Sequence, residues 1–228
     1  ALWLVVAPYG RHARPGWGPA LPARLAWLLM ESPSWLLFVW VYAAGSHRSE
    51  AAPLALLALW MGHYLYRGLL FPLRLRGERR WPALLAGLGF GFNLLNAWVN
   101  ARWISELGRY PAAWLGDPRF LAGAGLFLAG LRVHVSADAR LRRLREPGES
   151  GYRVPRGGLF EWVSCPNYFG ELVEWTGWAV ATWSPAGLAF ALYTAANLVP
   201  RAVAHHRWYR SRFPDYPARR RALVPFLL

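Results

Sequence analysis

Polar residues recur at helical spacing inside or at the ends of apolar runs, and that spacing limits the chemistry they could do. Glu31 lies in RLAWLLMESPSWLLFVW. A carboxyl at membrane depth costs about 3 kcal/mol or more unless it is partnered, neutral or facing water. Glu31 is therefore either an interfacial residue near a helix end or a site carboxyl turned into the bundle. In HYLYR, Tyr64 and Arg67 are three apart and share a helical face, although an interface belt also uses Tyr and Arg. Asn93, Asn96 and Asn100 form one polar stripe, which suits helix–helix hydrogen bonding or ligand binding. His134, Asp138 and Arg142 step by four, and Arg140, Arg143 and Arg145 crowd the same end. Such a cluster anchors lipid headgroups or clamps a phosphate, whose oxygens match the guanidinium fork.

Two more stripes follow. Asn167, Glu171 and Trp175 step by four, and Glu174 lies three after Glu171, so the two carboxyls repel unless each has a partner or a ligand amide. Asn197, Arg201, His205 and Tyr209 also step by four, which argues for a lined cavity. The adjacent His205 and His206 could ligate a metal, but no carboxylate or Cys completes the set at ligand spacing, so no metal site is expected. Gly87, Gly89 and Gly91 follow no strand and match no dinucleotide fingerprint; close helix packing accounts for them better.

The elements that must hold these residues are spanning helices. Hydrophobic residues make up 55% of the 228-residue chain, with 15 Trp. A spanning helix needs roughly 20 mostly apolar residues, and candidate spans fall at 24–44, 51–72, 82–104, 118–137, 166–184 and 186–206, with 1–7 read as the end of a truncated first helix. Every basic residue is Arg, and the net charge is +14. The connections 8–24, 67–80, 137–156 and 201–221 hold 21 of the 26 Arg. These are alternate connections, so the positive-inside rule makes them, and the C-terminus, cytosolic. The polar stretch 148–175, GESGYRVPRGGLFEWVSCPNYFGELVEW, is the expected seat of the chemistry. Basic residues set between apolar spans argue against nucleic acid. The single Cys165 excludes an internal disulfide. The absence of Lys points to a GC-rich, bacterial source.

The blocks LPARLAWLLMESPS, HYLYR, the Asp138–Arg145 segment, EPGESGYRVPRGGLFEWVSCPNYFGELVEW, RAVAHHRWY and DYPARRRALVPFLL occur in that order from about residue 21 to the end. Together they resemble the steroid 5α-reductase family, and Tyr9-Gly10-Arg11-His12 resembles its first cytosolic loop. A lone PNYxGE would be weak, because sterol reductases and isoprenylcysteine methyltransferases carry similar C-terminal helices. The resemblance implies an all-α integral membrane protein, one domain over 1–228 with seven transmembrane helices and no Rossmann fold, whose cytosolic loops cover the cofactor. It implies NADPH-dependent reduction of the Δ4 double bond of a 3-oxo steroid. By position, Glu31 and Tyr64 correspond to the pair that binds the 3-oxo group, and Trp27 and Phe92 to further substrate contacts. Tyr9, Asp138, Arg145, Tyr152, Arg153, Asn167, Glu171, Trp175, Arg201, His205 and Tyr209 correspond to cofactor contacts.

Hydride addition to the β-carbon of an enone needs negative charge to develop on the carbonyl oxygen, and a donor pair aimed there stabilises it as an oxyanion hole does. The α-carbon then needs a proton, for which the sequence names no donor. Met30 stands where the family often has Gln, and Leu88 where an Arg can approach the substrate, so substrate identity is more open than reaction type. Alternatives are a reductase of another enone or polyprenoid lipid, a methyltransferase of the isoprenylcysteine type, and a sterol-binding protein without catalysis. The expected setting is a bacterial inner membrane, with the steroid entering a monomer from the lipid.

Overall fold

The computed structural model describes residues 8, 10–12, 14, 16–75, 80–144 and 151–228. The expected remnant helix at 1–7 lies outside them. The described chain is mostly helical, with one addition that the all-α expectation lacked. Strand β1 (Ala20–Pro22) pairs antiparallel with β2 (Arg80–Pro82), setting Leu21 opposite Trp81. Each strand ends on a proline that caps a helix start, α1 (Ala23–Glu31) after Pro22 and α5 (Ala83–Arg102) after Pro82. Proline has no N–H to extend a ladder but is tolerated where a helix begins. Three residues are too few for an alternating pattern to be visible in the sequence.

The first apolar run is broken where its polar residue lies. Helix α1 ends at Glu31, a 3-10 turn follows over Ser32–Ser34, and α2 runs over Leu36–Ala43. Pro33 cannot donate to the Leu29 carbonyl, and the Ser32 hydroxyl donates to it instead at 2.8 Å. Helix α3 (Ala51–Tyr64) passes directly into a π turn, Leu65–Leu70, and then into the single turn α4 (Phe71–Leu73). π turns concentrate at functional sites. Helix α5 likewise ends in a π turn, Trp103–Leu107.

Helix α6 (Pro118–Arg143) starts on Asp117, whose carboxylate accepts from the Arg119 N–H at 2.8 Å. Helix α7 covers Pro166–Thr182 and α8 covers Pro185–Arg212, the latter capped by the Ser184 hydroxyl, which accepts from the Gly187 N–H at 2.9 Å. The runs Ala23–Ala43, Ala51–Leu73, Ala83–Leu107 and Pro118–Arg143 are long and apolar enough to cross a membrane. They correspond to four of the expected spans. The stretches expected at 166–184 and 186–206 fold as α7 and α8 but are not among these four. Helix α7 has only 17 residues and carries two Glu, and α8 carries the Asn197-to-Tyr209 stripe.

Helices α6 and α7 make the closest contact in the bundle. Gly123 and Gly130 face Gly177 and Gly170, so the two helices run antiparallel with their backbones touching. A Cβ on Gly170 would lie 2.5 Å from the His134 backbone nitrogen. Of the glycines expected to serve packing, only Gly89 does so, against the Met30 side chain; Gly87 and Gly91 border open space. The core is aromatic. Trp60, fully buried, stacks on Phe38 at 4.3 Å and touches Trp175, Trp178 and Phe190. Its indole N–H donates to the Ser34 carbonyl at 2.7 Å, which fixes the break after Glu31 to α3.

The C-terminal segment folds back over the start of α7. Val163 bridges Arg221, the Arg221 N–H donates to the Trp162 carbonyl and the Ser164 N–H to the Arg221 carbonyl, each at 2.8 Å. Leu223 and Ala222 pack there with Cys165 and Ala202. Burial holds the Cys165 thiol up at about 12, so it is inert.

Candidate active site

Two adjoining cavities hold most of the polar stripes. The first is lined by Met30, Glu31, His63, Tyr64, Phe92, Asn93, Glu171, Trp175 and Asn197, among others. Glu31 comes from the broken end of α1 and Tyr64 from the end of α3 beside the π turn. They are 8% and 3% exposed, so both polar groups face the cavity rather than bulk solvent. Asn93 holds the carboxylate: its side-chain amide donates to the Met30 carbonyl at 2.8 Å and to Glu31 Oε2 at 3.3 Å. Trp175 forms a wall, its ring 5.8 Å from that of Tyr64 and 4.6 Å from that of His63.

The second cavity is basic. Arg11, Arg67, Arg142 and Arg201 line it with Tyr152, Asn167, Tyr168, His205 and Tyr209, against the single carboxylate of Asp138. Arg67 and Leu198 line both cavities. The Arg67 guanidinium lies 4.4 Å over the Trp27 ring and 3.5 Å from Asp138 Oδ2. Arg11 lies over Trp208 and Tyr209 at 4.6 and 4.5 Å, and its Nη1 is buried without a hydrogen-bond partner among the described residues. A buried guanidinium nitrogen left unpaired is costly, which fits a wall that binds an anion. His12 stacks on His205 with rings 5.0 Å apart and parallel within 8°, and a ring nitrogen of each meets the other at 3.0 Å. Burial, and then the charges of Arg201, Arg11 and Arg14, hold His12 down at about 4, so it is neutral near pH 7.

Between the cavities lies a buried network of which the expected site contained only Asp138. His63 Nδ1 meets Glu174 Oε1 at 2.7 Å, His134 Nδ1 meets Glu174 Oε2 at 3.3 Å, and His134 Nε2 meets Asp138 Oδ2 at 3.3 Å. His63, Glu174 and His134 are 2%, 0% and 1% exposed. Their donor atoms lie within 4.8 Å of one another, close enough for a metal. Each, however, already meets a partner within the group, which describes a hydrogen-bonded array.

The family profile described as 3-oxo-5-alpha-steroid 4-dehydrogenase matches residues 79–228. The protein named steroid 5-alpha-reductase DET2 of Gossypium hirsutum is 48% identical over the whole of this chain and 90% of its own length. The proteins named 3-oxo-5-alpha-steroid 4-dehydrogenase 1 of Macaca fascicularis and Homo sapiens are 45% and 44% identical over 96% of this chain, which covers 84% and 85% of theirs. The chain belongs to the steroid 5α-reductase family. Members of this family are oxidoreductases acting on CH–CH bonds. These relatives are from a plant and two mammals and carry nothing of the bacterial source inferred from arginine usage.

Set against the residues that the family resemblance singled out, the structure divides them by cavity. Glu31, Tyr64, Phe92, Glu171 and Trp175 line the first. Trp27, Asp138, Tyr152, Asn167, Arg201, His205 and Tyr209 line the second, so Trp27 and the other substrate residues stand on different cavities, and Glu171 and Trp175 stand apart from the other cofactor residues. Arg153 is exposed and lines neither; Tyr9 and Arg145 lie outside the described residues. The asparagine stripe splits: Asn93 serves Glu31, whereas Asn100 accepts from the Trp178 indole at 2.8 Å and donates to Asn96. Sequence reasoning gave His63 no role, His134 only a place in a lipid- or phosphate-binding cluster, and Glu174 only the need for a partner or a ligand amide. The signal was there in part, since Glu174 had to find a partner and His134 shares a face with Asp138.

Proposed function

We propose that this chain reduces the Δ4 double bond of a 3-oxo-Δ4 steroid to the 5α-dihydrosteroid with NADPH as reductant. One observation carries the reading: Glu31 and Tyr64, from separate helices, line one buried cavity that shares a wall with a larger, arginine-lined one. The first cavity, walled by aromatic rings beside the Glu31 carboxyl, suits an apolar lipid with a polar end, and the arginines of the second suit the phosphates of a dinucleotide. The relatives' printed names supply the substrate class.

In this reading the steroid's 3-oxo oxygen lies between Tyr64 and Glu31. The Tyr64 hydroxyl donates to it, and Glu31, held by Asn93, orients that donor or donates when protonated. As the double bond is reduced, charge grows on this oxygen in a site without bulk water, where a fixed donor counts most. Arg11, Arg142 and Arg201 are placed to bind the phosphates of NADPH, and Tyr152, His205 and Tyr209 line the same cavity beside them. Bound there, NADPH supplies hydride. Helices α7 and α8 complete a seven-span bundle in an integral membrane protein, with the arginine-rich connections and the C-terminus in the cytosol. The steroid enters from the lipid, and the protein acts as a monomer.

Purified protein in detergent with NADPH and testosterone or progesterone should give the 5α-dihydro product by mass spectrometry. Binding of S-adenosylmethionine but not NADPH, read by tryptophan quenching, would instead place the chain with the methyltransferases. Binding of steroid without NADPH consumption would make it a binding protein.

A further inference from the structure

The reduction leaves a proton to be delivered to the substrate's α-carbon, and the array between the cavities ends at a group able to deliver it. We propose that His63 is that proton donor, acting through Nε2, and that Glu174 positions it. The proposal rests on the enone-reductase reading above.

His63 lines the same cavity as Glu31 and Tyr64. Among the described residues its one side-chain hydrogen bond is through Nδ1, to Glu174 Oε1 at 2.7 Å. Fixing Nδ1 in this way leaves Nε2 as the ring atom that can exchange a proton with the cavity. A carboxylate behind a histidine sets its tautomer, holds its orientation and stabilises the imidazolium. Glu174 is fully buried, and its other oxygen is held by His134, whose second nitrogen meets Asp138. Asp138 in turn accepts from Asn167 at 3.2 Å and pairs with Arg67 at 3.5 Å. Five groups on three segments therefore fix one imidazole at the cavity wall.

The balance of the step is simple. As hydride bonds to the β-carbon, the π electrons move toward the carbonyl oxygen to give an enolate. The α-carbon then forms a C–H bond with the proton on His63 Nε2, and that N–H bond breaks. The ring is left neutral with its proton on Nδ1 toward Glu174. A hydronium ion drawn from solvent after product release restores the Nε2 proton and leaves water. One hydride and one proton are consumed per double bond.

The test uses the full chain in detergent, with NADPH and testosterone in D2O buffer and brief incubations. The position and face of deuterium at C4 are read by NMR. The wild-type product should carry deuterium on one face of C4. For His63→Gln we expect kcat lower by roughly 10²–10³, little change in KM for testosterone, and deuterium on both faces of C4, because solvent then supplies the proton. Glu174→Gln should lower kcat by a smaller factor with the same KM, and Glu174→Asp should recover part of it. NADPH binding by tryptophan quenching confirms that each variant is folded. If folded His63→Gln keeps wild-type kcat and single-faced deuteration, His63 is not the donor. If the wild type itself yields no reduced steroid, the enone-reductase reading fails instead.

Discussion

At the scale of single residues, the site depends on donors that bulk water cannot replace. Tyr64→Phe removes the hydroxyl proposed to meet the substrate carbonyl in the first cavity. Turnover of testosterone should fall by roughly 10²–10³, the usual loss for one such donor, with NADPH affinity unchanged; steady-state kinetics and tryptophan quenching read the two separately. Arg11 carries a buried Nη1 at the second cavity that has no hydrogen-bond partner among the described residues. A hydrogen bond to a charged group contributes about 1.5–3 kcal/mol, so Arg11→Gln should raise the NADPH Kd by roughly ten- to a hundredfold. His12 gives a pH signature. Its folded-state pKa, about 4, lies below the ordinary 6.5, so the unfolded chain binds the extra proton between these values. Its contribution to stability is then complete above about pH 6.5 and is lost as pH falls toward 4. Thermal unfolding from pH 7 to 4 should show a smaller fall in Tm for His12→Gln than for the wild type. Residue types were the most legible part of the sequence, because a carboxyl inside an apolar run or a four-step polar stripe is costly without a purpose. Pairings were not legible: nothing in the spacing says that Glu174 on α7 meets His63 from α3, since that contact depends on how three helices pack.

At the scale of elements, backbone irregularities place the functional groups. The break over Ser32–Ser34 puts Glu31 at the end of a helix rather than in its middle, and the π turn Leu65–Leu70 begins one residue after Tyr64. The first was partly legible, because Pro33 must interrupt a helix. The second was not, because π geometry has no sequence signal of its own in LYRGLL. The short strands were equally silent and are fixed by pairing across about 60 residues of chain. The α6–α7 contact makes a sharper prediction. With a Cβ at position 170 so near the His134 backbone, Gly170→Ala must separate the helices or shift one along the other. Overpacking costs typically about 1–3 kcal/mol, and here the shift also pulls His134 away from Glu174. Gly170→Ala should lower Tm and kcat together, whereas Gly125→Ala, facing open space on the same α6, should change neither.

At the scale of the whole molecule, the fold sorts the chain's polarity into two adjoining cavities, one lined by aromatic walls and one by guanidinium groups. Composition anticipated the apolar bulk and the positive charge, and the ordered motif blocks anticipated the family. The partition of site residues between chambers was not accessible from sequence, because Trp27, Asp138 and Tyr209 converge only after α1, α6 and α8 pack around a common space. The hydrogen bond from Trp60 to the Ser34 carbonyl has a consequence beyond folding. It ties the segment bearing Glu31 to the helix bearing Tyr64 inside the protein. On the proposed reading, thinner or thicker bilayers can tilt the outer helices while these two side chains stay tied to one another. Cutting that tie with Trp60→Phe should leave a reductase whose turnover varies with lipid chain length in reconstituted vesicles, where the parent enzyme holds steady.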